Sequence, residues 1–63
     1  MRFRIKELRE NRKLTQEELA EMSGVSRANI VRLESEEDTV TTTDTLNKLA
    51  KALGVTVKYL ILP

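Results

Sequence analysis

Apolar residues recur along the chain at helical spacing, and short polar or glycine-containing stretches separate them into five segments. In the first segment Ile5 and Leu8 fall on one stripe, as do Leu46, Leu49 and Leu53 in the fourth. Because glycine and proline are scarce, the pattern favours helices joined by short turns over an all-β chain. It predicts an all-α fold of five short helices, at about residues 2–12, 16–23, 27–36, 43–53 and 57–61.

Residue types typical of helix ends support these boundaries. Thr15 and Glu18 form the T-x-x-E pattern of a capping box before the second helix, in which Leu19, Ala20 and Met22 are expected to face inward. Each helix is only two or three turns long, so tertiary packing must stabilise it. The remaining end signals are two glycines that follow helices and two hydroxyl caps that precede them: Gly24, Gly54, Ser26 and Thr56.

The segment TQEELAEMSGVSRANIVRLE suits two helices that cross steeply after a short turn. Ala20 is small where the next helix comes close, Gly24 accepts a left-handed turn, and Val25 can fill the space between the helices. Ile30 and Leu33 give the third helix its inward stripe. These requirements are joint and hard to meet by chance, so the segment from about residue 15 to residue 35 is predicted to be a helix-turn-helix.

Composition excludes several classes of function. The 63 residues fit a single domain, 1–63, whose core is small enough that pairing of two copies would add burial. The chain has no cysteine and no histidine, so disulfides, thiolate metal ligands and the commonest general base are missing. We therefore expect no enzymatic activity, no metal and no cofactor. No apolar run approaches the roughly 20 residues that span a bilayer, and no signal-peptide core is present, which favours a cytoplasmic protein.

The net charge of +1 conceals an uneven distribution of charged residues. Residues 1–15 carry six cations and two anions, whereas residues 34–44 carry five carboxylates and no cation. The chain can therefore present one basic face although its total charge is near zero. The plain alternative is a set of helices with solvated charged faces.

Taken together, these motifs resemble the Xre-type helix-turn-helix family of lambdoid phage repressors and Cro proteins. The resemblance covers RIKELRENRKLTQEELAEMSGVS, IVRLE and LNKLAKALGV with the short apolar helix that follows, which is nearly the whole sequence. It implies a lambda-repressor-like fold of five helices, with the third helix in the major groove of double-stranded DNA. It also implies a homodimer whose recognition helices are about one helical turn of DNA apart, roughly 34 Å.

A helical wheel of the third helix separates its inner and outer residues. With Ile30 facing inward, Ala28, Val31 and Arg32 face outward and Arg27 lies on the flank. Arginine can donate two hydrogen bonds to guanine O6 and N7, and short apolar side chains suit contact with a thymine methyl group. These four residues are the predicted base readers; the alternative for each is an ordinary surface side chain.

Five further residues are predicted to contact the DNA backbone. The resemblance implies that Gln16 anchors a phosphate at the start of the second helix, and it adds Ser26 and Asn29 as capping or phosphate residues. Thr15 is placed similarly, at a helix N-terminus that favours anions. Lys13 can add a charged contact to a phosphate.

An arginine–glutamate pair ties the first helix to the end of the third in repressors of this family. The resemblance assigns this brace to Arg4 and Glu34. Two unrelated surface charges are the alternative.

The loop after the third helix departs from the family pattern. Relatives carry a glycine and basic residues there, whereas this chain has Glu36, Glu37 and Asp38 and neither glycine nor base. Because phosphate contacts supply much of the affinity for DNA, an acidic loop is expected to weaken binding and its salt dependence. Alternatively the loop points away from DNA and binds a basic protein partner.

The C-terminal segment 57–63 is too apolar for the surface of so small a protein, and exposed apolar patches usually mark interfaces. It is predicted to form a two-fold homodimer, with completion of the monomer core as the alternative. The predicted contact residues are Val57, Tyr59, Leu60, Ile61 and Leu62.

The sequence therefore predicts a sequence-specific transcription regulator of bacterial or phage origin. The leading hypothesis is a repressor that occupies a palindromic operator as a homodimer. The alternative is an antitoxin-like module that binds a partner polypeptide and autoregulates its operon.

Overall fold

A computed structural model of the chain describes residues 3–35 and 41–61, which form five helices around one core. The prediction of an all-α, lambda-repressor-like fold is confirmed. The first helix begins three residues later than predicted, with Arg4 as its N-cap residue. The helices are α1 (Ile5–Asn11), α2 (Gln16–Ser23), α3 (Arg27–Ser35), α4 (Thr43–Leu53) and α5 (Val57–Leu60).

The capping box at the start of α2 has the geometry that its sequence predicts. The Thr15 hydroxyl accepts a hydrogen bond from the Glu18 amide at 3.0 Å, and the Glu18 carboxylate accepts one from the Thr15 amide at 2.8 Å. At the other end of α2, Gly24 adopts a left-handed conformation with φ of 76°. The two ends together fix the length of α2 and the direction in which the chain turns toward α3.

The ends of α1 and α4 share one hydrogen-bond pattern. After α4 the amides of Gly54 and Val55 donate to the carbonyls of Lys51 and Ala50 at 3.2 and 2.9 Å. After α1 the corresponding amides donate to carbonyls three and five residues back, at 2.9 and 3.1 Å, and the left-handed residue there is Lys13 with φ of 56°. This pair of hydrogen bonds is the Schellman motif, which normally has glycine at the left-handed position. Lys13 therefore holds a conformation that costs a residue with a Cβ about 1–2 kcal/mol.

The core takes residues from all five helices and from the turn between α2 and α3. Met22 is 56% exposed, so its prediction as an inward residue is wrong: Leu19 fills the inner face of α2 and Met22 lies on the solvent side. The buried residues are Ile5, Leu8, Leu19, Val25, Ile30, Leu33, Leu46, Leu49, Ala50, Leu53 and Leu60.

The two ends of the described chain meet beside α5. Phe3 and Ile61 form an isolated antiparallel bridge, and the Arg4 amide donates to the Leu60 carbonyl at 2.7 Å. Leu60 is fully buried within the single chain, so its assignment to a dimer interface is wrong. The α5 turn points Leu60 inward and leaves Tyr59 51% exposed.

The other residues predicted at the interface have mixed positions. Val57 and Ile61 are half-buried against the core of the same chain. Leu62 lies outside the described residues. Within residues 3–35 and 41–61, no helix has the length and apolar character needed to cross a membrane.

Candidate nucleic-acid interface

The helix-turn-helix consists of α2, the turn 24–26 and α3. Val25, Ile30 and Leu33 are buried and join the two helices to the core, while Ala20 is half-buried against it. Because the inner face of α3 is fully engaged in packing, its outer face has a fixed orientation relative to α2.

The four predicted base readers lie on that outer face. Arg27, Ala28, Val31 and Arg32 are all exposed, and Val31 is 40% exposed although it is apolar. Their spacing along one helix places two guanidinium groups and two short apolar side chains on one exposed face. Such a surface offers both hydrogen-bond donors and methyl contacts to base edges.

The largely buried carboxylate of Glu34, near the end of α3, links this helix to α1 and α2. Glu34 accepts two hydrogen bonds from Arg9, one from Nε at 2.7 Å and one from Nη2 at 3.1 Å, and a third from Gln16 Nε2 at 3.0 Å. The third Arg9 nitrogen, Nη1, donates to the Leu14 carbonyl in the turn between α1 and α2 at 2.7 Å. One ion pair thus connects α1, the following turn, α2 and α3.

The predicted brace between Arg4 and Glu34 is therefore wrong in its arginine. Arg4 precedes α1, and its guanidinium lies over the ring of Tyr59, 5.1 Å from the centroid. Arg9 is the partner because it lies one helical turn after buried Ile5, on the side of α1 that faces α3. Arg4 lies four residues before buried Leu8, so spacing from a core residue does not distinguish the two arginines, whereas the start of α1 at Ile5 does.

Burial makes this ion pair different from a surface contact. The Arg9 and Glu34 side chains are 12% and 4% exposed. The pKa of Arg9 is raised above its ordinary value, chiefly by the hydrogen bond to Glu34 and further by the charges of Glu34 and Glu10, against an opposing effect of burial. Arg9 is consequently a permanently charged structural residue.

The start of α2 presents polar groups next to this brace. Thr15 is exposed, and its hydroxyl, which accepts from Glu18, still has a hydrogen to donate. Gln16 is half-buried, and its bond to Glu34 uses one of its two amide hydrogens. Both side chains retain a donor for an anion at a helix N-terminus, where the dipole also favours negative charge.

The start of α3 has the same construction. The Ser26 hydroxyl accepts from the Asn29 amide at 3.2 Å, so Ser26 caps the helix and keeps its own hydrogen to donate. Ser26 is exposed and Asn29 half-buried. Lys13 is exposed in the turn between α1 and α2.

An open cleft of about 660 Å³ runs between α1, the start of α2 and the outer side of α3. It contains Lys6, a cation that the helical pattern did not single out, and Glu17, whose Oε1 lies 4.0 Å from Arg27 Nη1. The lining residues are Lys6, Arg9, Thr15, Gln16, Glu17, Arg27, Val31, Glu34 and Ser35. Within the described residues, no group of His, Cys, Asp and Glu could hold a metal ion.

Comparison with known proteins agrees with this geometry. A protein-family model described as Helix-turn-helix (HTH_3) matches residues 5–60. A search of curated proteins found no match to the chain. The matched range includes all five helices, the braced α3 and its exposed arginines. The chain therefore belongs to the Cro/C1-type helix-turn-helix family of DNA-binding transcription regulators, to which the Xre-type proteins belong.

Proposed function

We propose that this protein is a repressor that binds a palindromic operator as a homodimer, in the cytoplasm of a bacterial or phage-infected cell. The observation that carries the proposal is the outer face of α3, where exposed Arg27 and Arg32 flank exposed Val31 on a helix whose other side is buried and braced. Binding at such a site excludes other proteins from the same DNA.

Base reading is assigned to the outer face of α3. Arg27 and Arg32 each have the donors for a bidentate contact to guanine, and Ala28 and Val31 supply methyl groups for contact with thymine. Because α3 is fixed to α1 by the Glu34 brace, the helix that carries these side chains has a defined position. Preorganisation of this kind lowers the entropic cost of binding.

Backbone contacts are assigned to the rim of the cleft. The hydroxyl groups of Thr15 and Ser26 and the amides of Gln16 and Asn29 supply neutral donors, and Lys13 supplies charge. Neutral donors position a protein on DNA but add little counterion release. Binding is therefore expected to show a shallow salt dependence for a protein of this fold.

A pool of random-sequence duplexes tests the operator proposal. The protein retains part of the pool at low salt, and the retained duplexes are sequenced. We expect enrichment of a two-fold symmetric motif with half-sites about 10 base pairs apart, centre to centre. Retention without any enriched motif would reject sequence-specific reading, and an enriched motif without symmetry would reject the dimer.

Tyr59 is the residue at which the proposed dimer interface can be tested, because Leu60 is buried within the single chain. Tyr59 is 51% exposed, and its ring is covered on one side by Arg4. We expect Tyr59→Glu to shift the protein toward the 7.2 kDa monomer in sedimentation equilibrium, because the variant puts a charge into the apolar contact. Met22→Glu is the control, since Met22 is equally exposed on another helix. Dissociation by Met22→Glu alone would place the interface on α2.

Lys13 offers a test in which stability and DNA binding change in opposite directions. Lys13→Gly should raise the free energy of unfolding by up to about 1 kcal/mol, since glycine relieves the left-handed strain. The same variant should weaken binding to every duplex, because one charged phosphate contact is lost. Urea unfolding and fluorescence anisotropy measure the two effects.

Two further variants complete this test of Lys13. Lys13→Arg keeps both strain and charge and should preserve DNA affinity. Gly54→Ala creates a strained residue in the matching motif after α4, where a Cβ meets no atom within 4 Å, and should lower stability by about 1 kcal/mol. Unchanged affinity of Lys13→Gly would remove Lys13 from the backbone contacts.

A further inference from the structure

Glu17 is a carboxylate at the rim of a surface assigned to a polyanion. It is the second residue of α2, and its Oε1 lies 4.0 Å from Nη1 of Arg27, the first residue of α3. Both side chains line the cleft, with exposures of 75% and 60%. An exposed ion pair at this distance contributes little to the free energy of folding. Any role of the pair therefore depends on where it lies, at the rim of the proposed DNA surface.

Glu17 lies in the first turn of α2, where its charge suits the helix dipole, but it does not have the capping or bracing role of its neighbours. The capping box uses Glu18, and the other carboxylate of the cleft, Glu34, is enclosed by Arg9 and Gln16. Among the residues that the structure describes, the polar contact of Glu17 is to Arg27. Near DNA phosphates an exposed carboxylate is repelled, so Glu17 lowers the affinity for every duplex, a cost that a gain in selectivity would offset.

A guanidinium group at the start of a recognition helix has two competing ligands. It can donate two hydrogen bonds to guanine O6 and N7, or it can bind a phosphate with the same fork of donors. Phosphate binding is independent of sequence, whereas guanine binding is not. A carboxylate that holds one edge of the guanidinium and repels phosphate shifts this competition toward the base.

We propose that Glu17 is a specificity-determining residue that positions Arg27 for base reading and keeps it off the phosphate backbone. The inference rests on the proposed function, because it requires that Arg27 read a base. Glu17 acts through Arg27: its carboxylate, 4.0 Å from Nη1, attracts that edge of the guanidinium and leaves the remaining donors for guanine. It raises discrimination between sequences at the cost of some affinity for all of them.

The test uses Glu17→Gln in the full chain, with binding measured to the selected duplex, to the duplex changed at the position read by Arg27, and to an unrelated duplex. We expect discrimination at that position to fall about twofold, which corresponds to loss of one exposed charge pair. Affinity for the unrelated duplex should rise. For this duplex the slope of log affinity against log salt concentration should steepen by about 0.9, because Arg27 gains one phosphate contact.

Two controls separate positioning from bulk charge. Glu21→Gln removes the same charge one turn further along α2, outside the cleft, and should leave discrimination unchanged. In the Arg27→Ala background, Glu17→Gln should no longer affect discrimination. Neither glutamate is buried, so we expect each variant to remain folded. Circular dichroism checks this.

Three outcomes would overturn the inference. Discrimination could be unchanged in Glu17→Gln, or it could fall equally in Glu21→Gln. It could also fall by the same factor when Glu17→Gln is made in the Arg27→Ala background, in which case Glu17 would contact a base itself. If the unmodified protein selects no motif, the proposed function fails first. If a motif is selected and Glu17→Gln leaves it intact, only the role of Glu17 fails.

Discussion

Glu34→Ala is expected to lower the free energy of unfolding by about 3–5 kcal/mol, because it leaves the Arg9 guanidinium enclosed without its carboxylate. Domains of this length have about 3–9 kcal/mol in total, at 0.05–0.15 kcal/mol per residue. The variant should therefore be largely unfolded or close to it. Urea titration followed by circular dichroism measures the loss.

The size of this effect follows from burial and from the number of bonds involved. Arg9 and Glu34 are 12% and 4% exposed, and four hydrogen bonds join them to each other, to Gln16 and to the Leu14 carbonyl. Removal of either residue leaves largely buried donors or acceptors without their partners. Arg9→Ala should consequently be as harmful as Glu34→Ala.

An exposed pair in the same protein supplies the control. Lys48 Nζ lies 3.2 Å from Asp44 Oδ2 on the outer side of α4, with side-chain exposures of 49% and 76%. Lys48→Ala should cost only about 0.3–0.5 kcal/mol. If Glu34→Ala costs no more than Lys48→Ala, the pair between α1 and α3 does not brace the fold.

The double variant Arg9→Met with Glu34→Leu tests whether the ion pair makes the fold more stable than apolar residues of similar volume would at the same positions. Replacement of both charges by apolar residues of similar volume should recover most of the lost stability, since no charge remains buried. Gln16 loses its acceptor in this variant. We therefore expect weaker DNA binding from a protein that is again folded.

The pH dependence of this interaction follows from the direction of its pKa shift. The pKa of Arg9 is raised on folding, so its contribution to stability is complete below the ordinary pKa of arginine and is lost only above it. Arg9 should thus cause no change in stability between about pH 5 and pH 9.

Local signals predicted the elements of this fold well. The capping box of Thr15 and Glu18, the left-handed Gly24 and the inward stripe of α4 each depend on residues a few positions apart. Capping and hydrophobic periodicity are local effects, so they can be identified from the sequence alone. The tight crossing of α2 and α3 could be predicted because the turn 24–26 is short.

The errors arose where tertiary placement decided the outcome. Arg4 and Arg9 both lie near the start of the chain, and only the start of α1 at Ile5 determines that Arg9 faces Glu34. Leu60 and Tyr59 are adjacent in an apolar segment, and the register of the single turn of α5 decides which is buried. Composition identifies such a segment as apolar without giving its orientation.

Lys13 was predicted from its charge alone, and its backbone conformation could not be inferred from that. Lysine gives no signal for a left-handed residue, whereas glycine at the end of α4 does. A strained residue is commonly retained where its side chain has a use. The left-handed conformation of Lys13 therefore supports its proposed role as a phosphate contact.

Arg27→Ala is expected to abolish preference at one base position in each half-site of the operator. A bidentate arginine–guanine contact discriminates by about 1–3 kcal/mol, which is about 5- to 150-fold in relative affinity. Binding to the selected duplex should fall by this factor, whereas binding to a duplex with a different base at that position should fall far less. Competition anisotropy against a panel of single-base variants measures both.

Lys13→Ala is the matched comparison, because it also removes one cation from the proposed DNA surface. It should weaken all duplexes alike and lower the salt slope by about one unit, since phosphates do not differ between sequences. Arg27 is exposed and stabilises no buried group, so Arg27→Ala should remain folded. A uniform loss for Arg27→Ala would make Arg27 a backbone contact, and base reading would then rest on Ala28, Val31 and Arg32.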